Sequence, residues 1–193
     1  MMYALPAAPP PPPRRQVLVA TTIGGVAVLM LTGGMLSLYI RLRTQVLNTG
    51  DSWVPNGVKI PEVPANVMLA GLAGLLVFAH WTVYGIRRRD RVHVSLSLGL
   101  VGLLGLAIIN AQVYIYQHLD LPIASNGYAG MFYAITGMVL VLLVIGVVFT
   151  TVCAFRILGG RDEDQELVLA HLVYWYAVTA AFCAVWLIVY VTK

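Results

Sequence analysis

Charge is scarce in this chain, and it avoids five long stretches altogether. Only 10% of the 193 residues are Asp, Glu, Lys or Arg, against about 25% in an average soluble domain. Residues 16–40, 63–86, 92–119, 121–155 and 167–192 contain none of them. Proton relays, ion pathways and voltage sensors rely on charged groups inside the membrane, so this absence argues against a stand-alone ion pump or proton-driven transporter. Cysteine is nearly absent too. Cys153 and Cys183 fall in consecutive antiparallel spans, and at 1.5 Å per residue their depths differ by roughly 20 Å. A disulfide needs Cα atoms within about 7 Å, so both are read as packed, free thiols. There is no Gly-rich phosphate loop, no paired carboxylate site, no Cys/His cluster with zinc spacing and no serine in a nucleophile motif. No fixed-period repeat is present.

What remains is apolar. Hydrophobic residues make up 60% of the chain. About 20 apolar residues in a helix span the roughly 30 Å core of a bilayer, and each of the five runs is long enough. The expected fold is all-α, a polytopic bundle of five transmembrane helices at about 16–41, 64–86, 92–118, 127–156 and 166–191. Residues 1–15 read as a Pro-rich cytoplasmic tail and 16–193 as a single transmembrane domain. Pro6 and the prolines at 9–13 predict a stiff polyproline II arm, either solvated or docked on a neighbouring subunit. The first run is not expected to be a cleaved signal peptide: its apolar core exceeds the usual length of about 7–15 residues, and no small-x-small site follows.

Basic residues set the orientation. Arg14, Arg15, Arg87, Arg88, Arg89, Arg91, Arg156 and Arg161 share one side, and Arg41, Arg43, Lys59 and Lys193 share the other. The positive-inside rule then predicts the N-terminus inside and the C-terminus outside. The net charge of +4 comes from arginines at helix ends and is no nucleic-acid footprint.

Local signals organise the rest. Trp53, Pro55, Gly57, Pro61 and Pro64 mark a loop of turn formers and interface anchors. The short Arg87-Arg88-Arg89-Asp90-Arg91 connection predicts an antiparallel hairpin. Gly99, Gly102 and Gly105 keep small residues near one face of the third helix, as close helix packing requires. Tyr114, Tyr116, Tyr128 and Tyr133 gather at one boundary like an aromatic belt. Pro122 and Ser125-Asn126-Gly127 separate the third and fourth helices. Gly159 and Gly160 stop the fourth, and Asp162, Glu163, Asp164 and Glu166 lead into the fifth, either favouring its macrodipole or meeting a basic partner. His80 and His171 fall at similar depth and could meet across helices as ligands for haem iron or copper; an interhelical hydrogen bond or an interfacial position explains them equally well. His93 and His118 lie at opposite faces.

The run Gln112-Val113-Tyr114-Ile115-Tyr116-Gln117-His118-Leu119, a short loop, and then Ala124-Ser125-Asn126-Gly127-Tyr128-Ala129-Gly130-Met131-Phe132-Tyr133-Ala134-Ile135-Thr136-Gly137 resembles subunit III of haem-copper (cytochrome c) oxidases. Tyr174-Trp175, with Trp186 and Tyr190 after it, is similar to that family's closing helix. Trp53-Val54-Pro55 and Asn66 fit its first outer loop and the helix after it. The likeness covers most of the chain from about Gly33, and five helices with an outside C-terminus match the short bacterial form. The departures are in the ionisable groups. Ile115, Val139, Leu142, Tyr176 and Thr179 stand where the family has a glutamate, two histidines, a histidine and an aspartate.

The resemblance therefore implies a diverged or accessory subunit-III-like protein of a bacterial plasma membrane. It implies no cofactor in this chain, with haem and copper in partner subunits. It also implies packing on the catalytic subunit I, other oxidase subunits, lipids or an adjoining cytochrome bc-type complex. The residues expected to carry subunit or lipid packing are Gly99, Gly102, Gly105, Tyr128, Phe132, Tyr133, Thr136, Gly137, Tyr174 and Trp175. Two other readings stand beside it: a stand-alone carrier or channel for a small solute, and a small b-type cytochrome using His80 and His171.

Overall fold

The structure, a computed structural model, describes residues 15–55, 58, 60–119, 121–123, 126–160 and 164–192. The proline arm, Gly57, Lys59, Ser125, Arg161, Asp162, Glu163 and Lys193, which carry roles in the reading above, lie outside the described residues. The described residues form five helices: α1 (Gln16–Asn48), α2 (Glu62–Arg87), α3 (Arg91–Gln117), α4 (Gly127–Leu158) and α5 (Gln165–Val185), the last continued by a π-helical turn (Trp186–Val191). All five are long and apolar enough to cross a membrane, so the chain is an all-α membrane bundle.

Several boundaries have visible causes. α1 runs on past Arg41 and Arg43, because Leu42 and Val46 still pack against the core. α2 starts ahead of Pro64, since a proline is tolerated in a first turn whose N–H groups lack intrahelical acceptors. The α2–α3 hairpin turns at Arg89, a non-glycine residue at φ 57°. Asp90 then caps α3, accepting from the N–H groups of Val92 at 3.1 Å and His93 at 3.2 Å. Asn126 caps α4 through Ala129 N–H at 2.8 Å. After α4, Gly160 takes φ 90°, a conformation that suits glycine at a helix end.

The packing order differs from the chain order. α2, α3, α4 and α5 close a ring, and α1 lies outside it, mainly against α5 and at its edge against α4. Much of α1 is therefore left facing outward, including Ile23, Met30 and Leu31. Two contacts tie it down at its ends. Glu166 lies in the first turn of α5, as expected of an acid there, yet its Oε1 accepts from Val17 N–H at 2.7 Å and Leu18 N–H at 3.1 Å at the start of α1. At the other end, Arg43 Nη2 donates to the Thr192 carbonyl at 2.8 Å. Asp164 pairs instead with Arg156 at 2.8 Å.

Candidate functional site

Trp175 is the centre of the bundle. Its side chain is fully buried, and the slot it fills is made by two glycines. A Cβ added to Gly146 would lie 2.7 Å from the indole Cη2, and one added to Gly105 would lie 3.6 Å from it and 2.7 Å from Val147 Cγ2. The indole Nε1–H donates to His171 Nε2 at 3.0 Å and, at a longer 3.3 Å, to Thr150 Oγ1. Thr150 Oγ1 lies 2.8 Å from His171 Nε2 and donates to the Gly146 carbonyl at 2.8 Å. His171 is thus held by Nε2, while its buried Nδ1 has no protein partner. Sequence reading singles out Trp175 and Gly105 but misses Gly146 and Thr150. Their signal was the i, i+4 spacing, which puts both on one face of α4.

The other aromatic side chains expected to pack divide into two groups. Tyr128, Phe132 and Thr136 are buried inside the bundle. Tyr133 and Tyr174 are half-buried, with Tyr133 donating to the Leu121 carbonyl at 2.9 Å and Tyr174 to the Leu142 carbonyl at 2.6 Å. Tyr116 donates to Thr136 Oγ1 at 2.9 Å. The aromatic-belt expectation is corrected accordingly. Of its four tyrosines only Tyr114 is well exposed, stacked on His118 at 3.9 Å between centroids. Trp53 is no interface anchor either: it is 6% exposed, wedged edge-on against Tyr39 and Tyr128.

The glycine stripe of α3 is likewise not one contact surface. Three residues turn a helix by about 300°, so each step of three slips about 60° around the axis. Gly105 points into the bundle. Gly102 would place a Cβ 3.9 Å from Thr150 and nothing nearer, and Gly99 and Gly137 face open space.

The histidines do not converge. His80 is exposed, with Nδ1 2.9 Å from the Leu76 carbonyl and Nε2 3.0 Å from the Tyr176 hydroxyl. His171 belongs to the Trp175 slot. His93 pairs with Asp90 at 2.6 Å, and His118 Nδ1 sits 3.0 Å from the Tyr114 carbonyl. Among the described residues no group of three or more His, Cys, Asp or Glu side chains could hold a metal ion. Cys153 is buried and Cys183 exposed, both free.

Fold and site together define a polytopic helical membrane protein, its interior built from aromatic rings and interhelical hydroxyl bonds and its charge kept at the helix ends. The family described as Cytochrome c oxidase subunit III matches residues 24–193, and the chain belongs to that family. Relatives agree. A cytochrome c oxidase subunit 3 of Xenopus laevis is 31% identical over 147 residues, covering 74% of this chain and 55% of the relative. A probable cytochrome c oxidase subunit 3 of Rickettsia bellii is 27% identical over 149 residues, covering 72% and 52%. The cytochrome c oxidase subunit 3 of Bos taurus is 28% identical over 170 residues, covering 86% and 63%. The chain thus spans little more than half the length of the curated relatives it matches.

Proposed function

We propose that the chain is a non-catalytic membrane subunit of a cytochrome c oxidase, and that it stabilises the catalytic subunit, bound lipids or contacts with an adjoining cytochrome bc-type complex. One observation carries this reading: the family match runs from Gly24 to the last residue, while the membrane runs are free of acidic and basic side chains. A chain of this kind contributes surface and rigidity rather than electrons or protons. Haem and copper belong to its partners, with subunit I first among them. The membrane is the plasma membrane of a bacterium, with the arginine end of the bundle in the cytoplasm and the C-terminus outside. The Pro-rich residues 1–15 form a cytoplasmic tail, and 16–193 form one transmembrane domain.

The packing residues fall into two roles under this reading. Gly105, Tyr128, Phe132, Thr136 and Trp175 keep the bundle rigid, with Tyr133 and Tyr174 at its margin. Gly99 and Gly137, with open space before them, are where a neighbouring helix or an acyl chain can approach the backbone closely, while Gly102 faces Thr150 of α4.

Purification of a tagged copy in mild detergent tests the proposal. The expected result is a larger complex with haem a and copper in stoichiometric amount, and the isolated chain should retain neither. A chain that purifies alone with a haem spectrum lost in His80→Ala or His171→Ala overturns it.

A further inference from the structure

The Trp53 end of the bundle holds a set of polar atoms that the protein does not satisfy. Tyr39 Oη, Trp53 Nε1, Gln112 Oε1 and Nε2, Tyr128 Oη and Tyr190 Oη are all buried without a protein hydrogen-bond partner. Their residues are between 0% and 6% exposed. They come from α1, the α1–α2 loop, α3, α4 and the π-helical turn after α5, and they form one neighbourhood. The Trp53 ring lies 5.3 Å from Tyr39 and 5.6 Å from Tyr128. Tyr128 has Tyr39 and Tyr190 as neighbours; Trp53 faces Tyr39, and Gln112 faces Tyr190 and Tyr116, as complementary polar groups whose geometry falls short of a direct hydrogen bond. Arg43, whose Nε is also buried and unpartnered, adjoins Tyr39.

Leaving a buried hydroxyl or amide unpaired costs about 1–3 kcal/mol, and hydrocarbon supplies no replacement partner. Six such atoms in one place call for a small polar occupant. Water fits: a buried water makes about 2–4 hydrogen bonds to groups of this kind, and Gln112 alone offers both donors and acceptors. A way in exists. A cavity of about 350 Å³ lies over the cluster, lined by Trp53 and Tyr128 and by the polar Asp51, Ser52 and Asn126. Among the described residues no hydroxyl path leads onward. Tyr116 donates to Thr136, and Thr136 donates to the Phe132 carbonyl at 2.7 Å, so the string ends on backbone. Toward the middle of the bundle the buried layer is apolar, with Ile135, Val139 and Leu143.

We infer that Tyr39, Trp53, Gln112, Tyr128 and Tyr190 form a buried hydration site, filled by a cluster of bound water that enters from the Trp53 end and stops there. The site rests on these side chains alone and stands whether or not the chain is an oxidase subunit. It is a dead end, so it braces five chain segments through water without opening a path across the membrane.

Hydroxyl-radical footprinting by brief X-ray exposure reads bound water directly, because radicals form where the water sits. The full chain, in its complex or in lipid nanodiscs, is exposed and each residue's oxidation is measured by mass spectrometry. Phe182, 1% exposed, serves as the dry aromatic control. Tyr128 and Tyr190 should be oxidised severalfold more than Phe182 despite equal burial. Gln112→Leu should bring Tyr190 down toward the control while helix content is unchanged. Should that variant not fold, Tyr190→Phe removes one hydroxyl at little change in volume and should lower labelling at Tyr128. Oxidation of Tyr128 and Tyr190 at the level of Phe182 in the unaltered chain would mean that the side chains bond one another in a dry cluster, and it overturns the site. Unchanged labelling in the variant that folds overturns it equally.

Discussion

At the residue scale, the Trp175 slot shows how two missing methyl groups place the largest fully buried side chain of the bundle. Gly146 and Gly105 admit the indole, and His171 with Thr150 then satisfies its N–H inside the hydrocarbon. Adding one carbon at Gly146 has nowhere to go but into the ring, 2.7 Å away. Gly146→Ala should therefore destabilise the bundle by about 1–3 kcal/mol, the usual cost of overfilling a packed core. Gly102→Ala should be near neutral, since its Cβ meets only Thr150 Cγ2 at 3.9 Å. Thermal unfolding in detergent, followed by circular dichroism, compares the two directly. Equal stability of both variants would remove the slot from the account. Trp175→Phe tests the polar half: it strips Thr150 and His171 of their shared donor and should lower the midpoint, although its ring fits the same space.

At the element scale, the helix ends are held by side chains that the chain order does not pair. Glu166, on α5, satisfies two of the open N–H groups at the start of α1. Glu166→Ala should speed hydrogen exchange at Val17 and Leu18, consistent with about 1 kcal/mol for a lost cap, while the middle of α1 stays protected. Unchanged exchange at those two amides would mean that the contact does not hold in the membrane. Asp90 makes a comparable cap for α3 in the connecting turn. Its carboxyl is held below the ordinary aspartate value, first by the His93 N–H and then by the His93 side chain. A carboxylate shifted down in the folded state contributes stability that is complete above the unfolded value and disappears as pH falls through the folded one. Protection of the Val92 and His93 amides should accordingly hold at neutral pH and fade only below the range where free aspartate titrates. Fading near neutrality would mean that the Asp90 carboxylate is not what holds these two amides.

At the scale of the whole molecule, one helix stands apart. The ring of α2 to α5 buries the aromatic interior, while α1 is strapped against α5 by Glu166 at one end and Arg43 at the other. An outlying helix with an exposed apolar face suits a chain that works inside an assembly, and the proposed orientation fixes which way it presents that face. Reporter fusions after Arg91 and at the C-terminus should report cytoplasm and exterior respectively. The reverse pattern would invert every assignment of side made from the basic residues.

The five spans were legible in the sequence because the requirement behind them is local: an uncharged run of sufficient length can meet the bilayer only as a helix. The family likeness was legible for a similar reason, since the Gln112–Tyr116 segment, Ile115 aside, and the Tyr128–Gly137 segment resemble the family's pattern in order along the chain. Which face each residue shows could not be read this way. Gly99, Gly102 and Gly105 look equivalent at a spacing of three, and only the rotation of α3 against α4 and α5 decides that Gly105 is the tight contact. His80 and His171 share a depth, yet they turn to different neighbours, Tyr176 and Trp175. Tyr128 and Trp53 look like interfacial anchors in a hydropathy pattern. The return of α1 and the α1–α2 loop over the start of α4 buries them together. Hydropathy measures transfer from water to lipid, and lipid and protein interior are nearly equal on that scale; burial inside this membrane protein was decided by tertiary packing.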